Sequence, residues 1–157
     1  MFNEIILIIN TYYFINLSEY ILHKFAHNHK YGGIIYEWHR KHHIIEFPLK
    51  HLTRNEYPKI IPRYQNIFIY FILIWWSLMY SILERYYFNI LFIESSIYFI
   101  IIDKLHESYH LNNSIFEKYE WFRKKKRIHL LHHIKHNKNF NLVDLTGDKI
   151  NKTYILK

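Results

Sequence analysis

Ten of the thirteen histidines fall into four groups whose spacing repeats. Two groups are H-x-x-x-H pairs and two are H-x-x-H-H triples. Residues three and four apart lie on one face of a helix, so each group is predicted to direct its imidazoles toward one point. Because imidazole is a common metal ligand, this pattern predicts a metal site. The predicted ligands are His23, His27, His39, His42, His43, His106, His110, His129, His132 and His133.

The two triples are the strongest part of this pattern. At the histidine frequency of this chain, an H-x-x-x-H pair is expected about once by chance, whereas two H-x-x-H-H triples are expected in only ~0.004 of such chains. Ten imidazoles exceed the ligands that one metal can use, so two metals are predicted. Imidazole suits zinc, copper, iron or nickel, and the spacing does not choose among them. The chain has no cysteine, which excludes a thiolate site.

Few carboxylates lie near the histidine groups. They are better placed to accept the second ring N–H of a ligand histidine than to replace one. These carboxylates are Glu19, Glu37, Asp103 and Glu107. His136 lies four residues after His132 and could join the same helix face, while His29 and His51 are interpreted as surface residues or outer partners of the ligands.

Apolar and basic residues are separated along the chain, which is half hydrophobic yet carries a net charge of +8. Two apolar runs, 67–83 and 86–102, are close to the lower length limit for a bilayer span and predict a membrane hairpin. A third segment, 4–22, is a weaker candidate because polar residues interrupt it. It lacks the features of a signal peptide and is predicted to be an uncleaved anchor.

The basic residues flank this predicted hairpin. All but one of the 21 lysines and arginines lie in segments 23–65 and 104–157, and the exception is Arg85 at the hairpin tip. The positive-inside bias therefore predicts that both segments, and all the histidine groups, face the cytoplasm. The basic run 123–127 is interpreted as a solvated or headgroup-facing surface rather than a nucleic-acid site. A soluble helical protein with a buried apolar hairpin is the alternative to this topology.

The motifs and their order resemble those of the fatty acid hydroxylase/sterol desaturase superfamily of membrane di-iron enzymes. The resemblance rests on EYILHKFAH (19–27), YEWHRKHH (36–43), DKLHESYH (103–110), HLLHH (129–133) and the tail NFNLVDLTGDKINKT (139–153). It implies one all-α domain over residues 1–157, a multi-pass membrane helical bundle with a cytoplasmic histidine-rich cap. The chain departs from the family in a short N-terminal region, in Asn141 where the tail usually has glycine, and in Gly147 where an aromatic residue is common.

The resemblance also implies an activity. The ten histidines would hold two iron ions, with zinc possible as purified, and the enzyme would use O2 to hydroxylate or desaturate a C–H bond of a fatty acyl or sterol lipid in the bilayer. Electrons would come from an external donor such as cytochrome b5 or a ferredoxin. The membrane would be the endoplasmic reticulum in a eukaryotic or virally infected cell. Residues expected around the ligands are Glu19, Asp103, Glu107, His136, Asn139 and Asp148.

Two other functions stay open at this point. Residues 106–110 match the H-E-x-x-H motif of zinc proteases, in which two histidines bind zinc and the glutamate, here Glu107, is the general base. This hypothesis predicts a membrane zinc metalloprotease but leaves both triples unexplained. The second alternative is a non-catalytic membrane protein that binds metal, because metal sites can be purely structural.

Overall fold

The computed structural model describes residues 2–58 and 66–157. This part of the chain is helical and contains no strand, only an isolated bridge between Arg54 and Leu111, so the predicted all-α class is confirmed for it. Lys59 and Arg63, which belong to the first basic segment, lie outside the described residues. The elements are α1 (Phe2–Ala26), α2 (Gly33–Lys41), a π-helical turn (His42–Glu46), α3 (Asn66–Ile82), α4 (Arg85–Tyr109), a 3-10 turn (Ile115–Lys118), α5 (Glu120–Ile134) and α6 (Thr146–Ile150).

The two longest helices, α1 and α4, pack along each other and form the frame of the fold. Each has 25 residues and is therefore about 38 Å long. Helix α3 joins them through its tryptophans. Trp75 stacks on Phe14 of α1 with ring centroids 4.9 Å apart, and the Trp76 indole N–H donates a hydrogen bond of 2.9 Å to Ser95 Oγ of α4. The apolar core thus runs between these three helices and continues to Tyr109 and Phe122 beside the histidines.

One helix among the described residues is long and apolar enough to cross a membrane, and it is α1. Its qualifying stretch, Asn3–Ala26, has a mean hydropathy of 1.4, whereas the apolar stretch Ile69–Ile82 of α3 is shorter. The predicted hairpin turn is present, because α3 ends at Ile82 and α4 begins at Arg85. Helix α4 does not end at residue 102 but continues to Tyr109. The segment predicted from the sequence as the weakest span is therefore the one helix of the described residues that is both long and apolar enough to cross a membrane.

Three of the polar residues along α1 lie on its inner face. Thr11, Asn16 and Glu19 are buried, whereas Ile8, Leu17 and other large apolar residues of the same helix are exposed. This arrangement is the reverse of a surface helix in a water-soluble protein, whose apolar stripe faces the core.

Helices α3 and α4 also expose large apolar side chains, and together with α1 they form a surface that we call the apolar belt. Exposed apolar patches of this extent are uncommon on soluble monomers and are typical of interaction or membrane surfaces. The belt consists of Ile5, Ile6, Ile8, Ile9, Tyr13, Phe14, Leu17, Ile21 and Phe25 of α1, Ile69, Tyr70, Leu73, Ile74, Leu78, Tyr80 and Ile82 of α3, and Tyr86, Phe92, Ile93, Ile97, Ile100 and Ile101 of α4.

The C-terminal tail folds back along the polar inner face of α1. Asn16 Nδ2 donates to the Asp144 carbonyl at 2.8 Å, and Asn141 Nδ2 donates to the Asn16 carbonyl at 3.0 Å. A Cβ at Gly147 would lie 2.4 Å from Asn141 Oδ1 and 2.9 Å from Tyr20 Cβ. The two departures from the family pattern in the tail are therefore neighbours in space, since the Asn141 amide occupies the space beside Gly147.

The basic run on α5 is only partly a solvated surface. Arg123, Lys124 and Arg127 are exposed, as expected. Lys125 instead donates a hydrogen bond to a carbonyl of the tail, and the side chain of Lys126, which is 12% exposed, pairs with the Glu117 carboxylate. These two lysines attach α5 to the segments beside it, so the interpretation of the whole run as solvated was wrong for them.

Candidate metal centre

The ten predicted ligands come together in the fold as two groups of five. Within each group, one candidate ligand atom per residue lies within 4.8 Å of all the others. Site A is defined as His23, His27, His39, His43 and His132, and site B as His42, His106, His110, His129 and His133. All five histidines of site B are buried, whereas His27 of site A is half-buried. The fold therefore contains buried histidine clusters that could hold metal ions.

Each triple contributes to both sites, so the expectation that each group points to a single place was wrong for the triples. The first and last histidines of a triple join one site, and the middle one joins the other. On an α-helix, residue i+4 is rotated by about 40° from residue i and residue i+3 by about 60° in the opposite direction. His42 therefore belongs to site B and His132 to site A. Each site thus consists of two i,i+4 pairs and one histidine from the opposite triple.

Spacing of the ring nitrogens fits metal coordination. In site A, His27 Nε2 lies 2.7 Å from His39 Nε2 and 3.0 Å from His132 Nε2. In site B, His129 Nε2 lies 2.9 Å from His110 Nε2. Two nitrogens bound at right angles to one metal at the usual bond length of about 2.1 Å would be about 3 Å apart. The nitrogens are thus already gathered at distances that a shared cation would impose.

His133 gives a second test of whether a metal fits. Both of its ring nitrogens are buried, and neither has a hydrogen-bond partner among the described residues. A buried polar atom without a partner is costly, and coordination to a metal would give one of these two nitrogens a partner. Its ring also stacks on His43 of site A, with centroids 4.0 Å apart, so the two sites are in direct contact. The residues present therefore fit metal ions held by imidazole.

Backbone carbonyls fix the orientation of several rings. His110 Nδ1 donates to the Leu52 carbonyl at 2.8 Å, His132 Nδ1 to the Lys138 carbonyl at 2.7 Å, and His23 Nδ1 to the Phe140 carbonyl. A carbonyl oxygen can only accept a hydrogen bond, so in the neutral ring Nδ1 carries the proton and Nε2 keeps its lone pair for the site.

Glu46 is a functional candidate that the sequence analysis missed. Its Oε2 accepts a hydrogen bond of 3.0 Å from His42 Nδ1, and its side chain is 7% exposed. It ends the π-helical turn, a feature that often occurs at functional sites. The signal that could have found it is the His42-x-x-x-Glu46 spacing, which matches that of the histidine pairs. Phe47, the next residue, is fully buried and stacks on His110.

Two of the carboxylates predicted to accept hydrogen bonds from ligand histidines accept them from other groups. Glu19 is buried, but its carboxylate accepts hydrogen bonds from the tail, from the Leu142 backbone N–H at 2.9 Å and from Asn141 Nδ2 at 3.2 Å. Glu107 accepts a hydrogen bond of 3.1 Å from Lys104 Nζ. Glu19 therefore holds the tail against α1, which positions the carbonyls of the tail.

The other two predicted carboxylates differ in burial. Asp103 is half-buried on α4. Glu37 is exposed on α2 and pairs with Arg40.

Two buried residues of the tail shape the loop that faces site A. Asp148 accepts hydrogen bonds from the backbone N–H groups of Phe140 at 2.9 Å and Asn141 at 2.7 Å. Asn139 adopts a φ of +57°, in the left-handed region, and its Nδ2 donates to the Ile128 carbonyl at 3.2 Å. Together they present the two tail carbonyls that accept hydrogen bonds from histidines of site A, and so act on those ligands through the backbone.

The remaining histidines differ in how close they lie to the sites. His136 is exposed, but its ring is 4.9 Å from that of His43 and 5.7 Å from that of His27. His29 and His51 are exposed, in agreement with their interpretation as surface residues.

Burial keeps the clustered imidazoles neutral. It lowers the pKa of His27 to about 2 and the pKa of His110 to about 3. Burial, and then repulsion from the neighbouring imidazoles, holds the pKa of the other members well below the ordinary value of 6.5 for His39, His42, His43, His129, His132 and His133. A neutral imidazole is the form that binds a metal, so the cluster needs no deprotonation at neutral pH.

The H-E-x-x-H motif lies inside site B. His106 and His110 are joined there by three further histidines, whereas catalytic zinc in proteases usually has three protein ligands and one open position. The carboxylate of Glu107 is hydrogen-bonded to Lys104. This geometry gives no specific support to a zinc protease.

No family model matches the chain, and neither a curated protein nor a solved structure matches it.

Acid should destabilise the metal-free protein. A histidine in the unfolded chain titrates near 6.5, whereas the buried ones stay neutral to much lower pH. Below about pH 6.5 the unfolded state therefore binds more protons, and the free energy of unfolding should fall by up to about 1.4 kcal/mol per pH unit for each such histidine. Thermal unfolding of metal-free protein in detergent at pH values from about 8 to 5 measures this loss. A His29→Ala/His51→Ala variant should show the same dependence, and a constant melting temperature would contradict the burial argument.

Glu46→Gln should weaken metal binding at site B. The amide accepts a weaker hydrogen bond from His42 Nδ1 than the carboxylate does, and loss of such outer partners typically lowers metal affinity by about 10–100-fold. Competition with a chelator of known affinity measures the change. Glu37→Gln, which alters an exposed glutamate on the preceding helix, is the matched control. Equal affinities for the two variants would show that Glu46 does not support the site.

Proposed function

We propose that this chain is a membrane-bound di-iron oxygenase that hydroxylates or desaturates a lipid C–H bond with O2 and electrons from an external donor. The observation that carries the proposal is the pair of adjoining five-histidine sites, which are in contact through His43 and His133. Their ligands come from α1, α2, the π-helical turn, α4 and α5, or directly follow α1 and α4. Because each triple supplies both sites, the two sites are constructed together, which favours a dinuclear centre over two unrelated ones. This interpretation agrees with the family that the motifs resemble.

The donor set favours iron over zinc. Five imidazoles at each site exceed the four ligands of a structural zinc site. Iron accepts imidazole and higher coordination numbers. Two iron ions held here would supply the reduction of O2 and the removal of hydrogen from an unactivated C–H bond. The chain contributes neutral, fixed ligands, and the burial of all five histidines keeps bulk water away from site B.

The apolar belt supports a multi-pass topology. We infer that α1, α3 and the first part of α4 cross the bilayer, with the histidine sites at their cytoplasmic ends. Helix α3 has 17 residues and would span about 25 Å, which a membrane can accommodate by local thinning. The substrate is then a lipid, fatty acyl or sterol, whose reacting carbon reaches the sites from the bilayer. In a eukaryotic or virally infected cell the membrane would be the endoplasmic reticulum.

An acidic electron carrier such as cytochrome b5 or a ferredoxin suits the outer face of α5. Arg123, Lys124 and Arg127 are exposed on this helix, whose inner face supplies His132 and His133. Complementary charge accelerates encounter between such partners. A carrier bound here would be separated from the sites by about the diameter of one helix.

Adjacent single substitutions test the metal centre. His42→Ala and His43→Ala change neighbouring residues that belong to different sites. Wild-type protein purified in detergent should contain about two irons per chain, each single variant about one, and His132→Ala/His133→Ala, which removes a ligand from both sites, almost none. Elemental analysis for iron and zinc gives these values. The same preparations, supplied with membrane lipids, O2 and a reductant, should form an oxidised lipid only when both irons are present.

Glu107→Gln separates this proposal from a metalloprotease. The variant should keep its iron and its lipid product, whereas a protease would lose all activity with its general base. A single zinc per chain, retained in His42→Ala but lost in His106→Ala, would overturn the di-iron proposal. Two metals per chain, with no oxidised lipid from any membrane lipid supplied, would favour a non-catalytic metal-binding membrane protein instead.

A charge in the apolar belt should prevent membrane integration. Ile93 is 58% exposed in the belt, and Ile115 is 79% exposed in the 3-10 turn that packs against α5. Ile93→Lys should reduce the membrane-integrated fraction, because a lysine at the centre of a span costs about 2.5–3.5 kcal/mol. Ile115→Lys should have no such effect. Carbonate extraction of membranes measures the integrated fraction, and equal behaviour of the two variants would contradict the proposed spans.

A further inference from the structure

The two sites differ in their access to solvent. A cleft of about 600 Å³ opens directly onto site A, and its lining includes His27, His39 and His43. No histidine of site B lines this cleft. His27 is also the least buried of the ten ligands, whereas every member of site B is buried. Solvent can therefore reach the edge of site A at the half-buried His27, whereas all five histidines of site B are buried.

His136 lies on the wall of this cleft, next to two ligands of site A. It is exposed, and its ring is close to the rings of His27 and His43. Its Nε2 donates a hydrogen bond of 2.8 Å to the His133 carbonyl. In the neutral ring this bond leaves the lone pair on Nδ1, which is the atom that can bind a cation.

We propose that this cleft is the port through which the centre exchanges metal, that site A is the labile site, and that His136 is its transfer ligand. His136 binds a divalent cation arriving from solvent and passes it to His27 and His43, whose rings it already contacts. It is not one of the five permanent ligands. Site B, whose five histidines are all buried, releases its metal more slowly. This inference rests on the proposed dinuclear centre and adds the route by which that centre is loaded and emptied.

Release of iron to a chelator tests the inference. Anaerobic wild-type protein loaded with Fe²⁺ is mixed with ferrozine, and the absorbance of the iron complex is followed with time. Two phases of about one iron each are expected, and only the fast phase should be absent from His43→Ala. His136→Ala should slow the fast phase by about tenfold, an effect comparable to the loss of other metal-supporting partners. Its total iron should equal that of the wild type.

Two matched variants separate the role of the imidazole from other effects. His29→Ala removes an exposed histidine that lines the same cleft, and it should release iron at the wild-type rate. His136→Gln keeps a side-chain N–H that can donate to the His133 carbonyl but has no imidazole, and it should be as slow as His136→Ala.

Each contrary result overturns a specific part of the proposed exchange route. A single release phase for two irons would refute the asymmetry between the sites while leaving the proposed function intact. A total of one iron in His136→Ala would make His136 a permanent ligand, and an unchanged fast rate would exclude it from transfer. Wild-type protein that binds no iron would overturn the proposed function together with this inference.

Discussion

Ten clustered imidazoles, nine of them buried and His27 half-buried, are the constraint on which the other features of this fold depend. Burial lowers the pKa of the clustered rings, and several of their Nε2 atoms lie about 3 Å apart, the spacing that ligands of one shared cation would have. His133, with both nitrogens buried and without a hydrogen-bond partner among the described residues, makes this constraint most evident. Metal coordination is the chemistry that satisfies such an arrangement, and the surrounding elements serve to hold the rings at these distances.

The hydrogen bonds around the cluster come mainly from irregular backbone. Carbonyl groups of Leu52, Lys138 and Phe140 accept from ring nitrogens, and Glu46 accepts from His42. Loops can do this only if they are themselves fixed, and buried polar side chains of the tail and of α1 hold the C-terminal loop in place. The buried polar residues of α1 thus have a structural role, because they attach the tail that orients ligands of site A.

The distribution of polar side chains inside and apolar side chains outside also connects the histidine sites to the proposed membrane location. Helix α1 is polar toward the tail and apolar toward its surroundings, and α3 and α4 extend the apolar surface. A bilayer would cover this surface and would bring a lipid to the ends of the helices where the histidines lie. The solvent cleft at site A opens beside residues of the cap, such as Asn137 and Arg40. Substrate and metal would then reach the centre by different routes, one from lipid and the other from water.

The sequence by itself determined the helical class of the described residues, the turn between α3 and α4, and the ten histidines that come together. Local periodicity is sufficient for these, because i,i+3 and i,i+4 spacing fixes which side chains share a helix face. Only the tertiary structure decided that each triple is divided between two sites, that Lys125 and Lys126 bind neighbouring segments, and that Glu46 and three carbonyls orient the ligands. These depend on how distant segments pack, and a backbone carbonyl has no signature in the sequence.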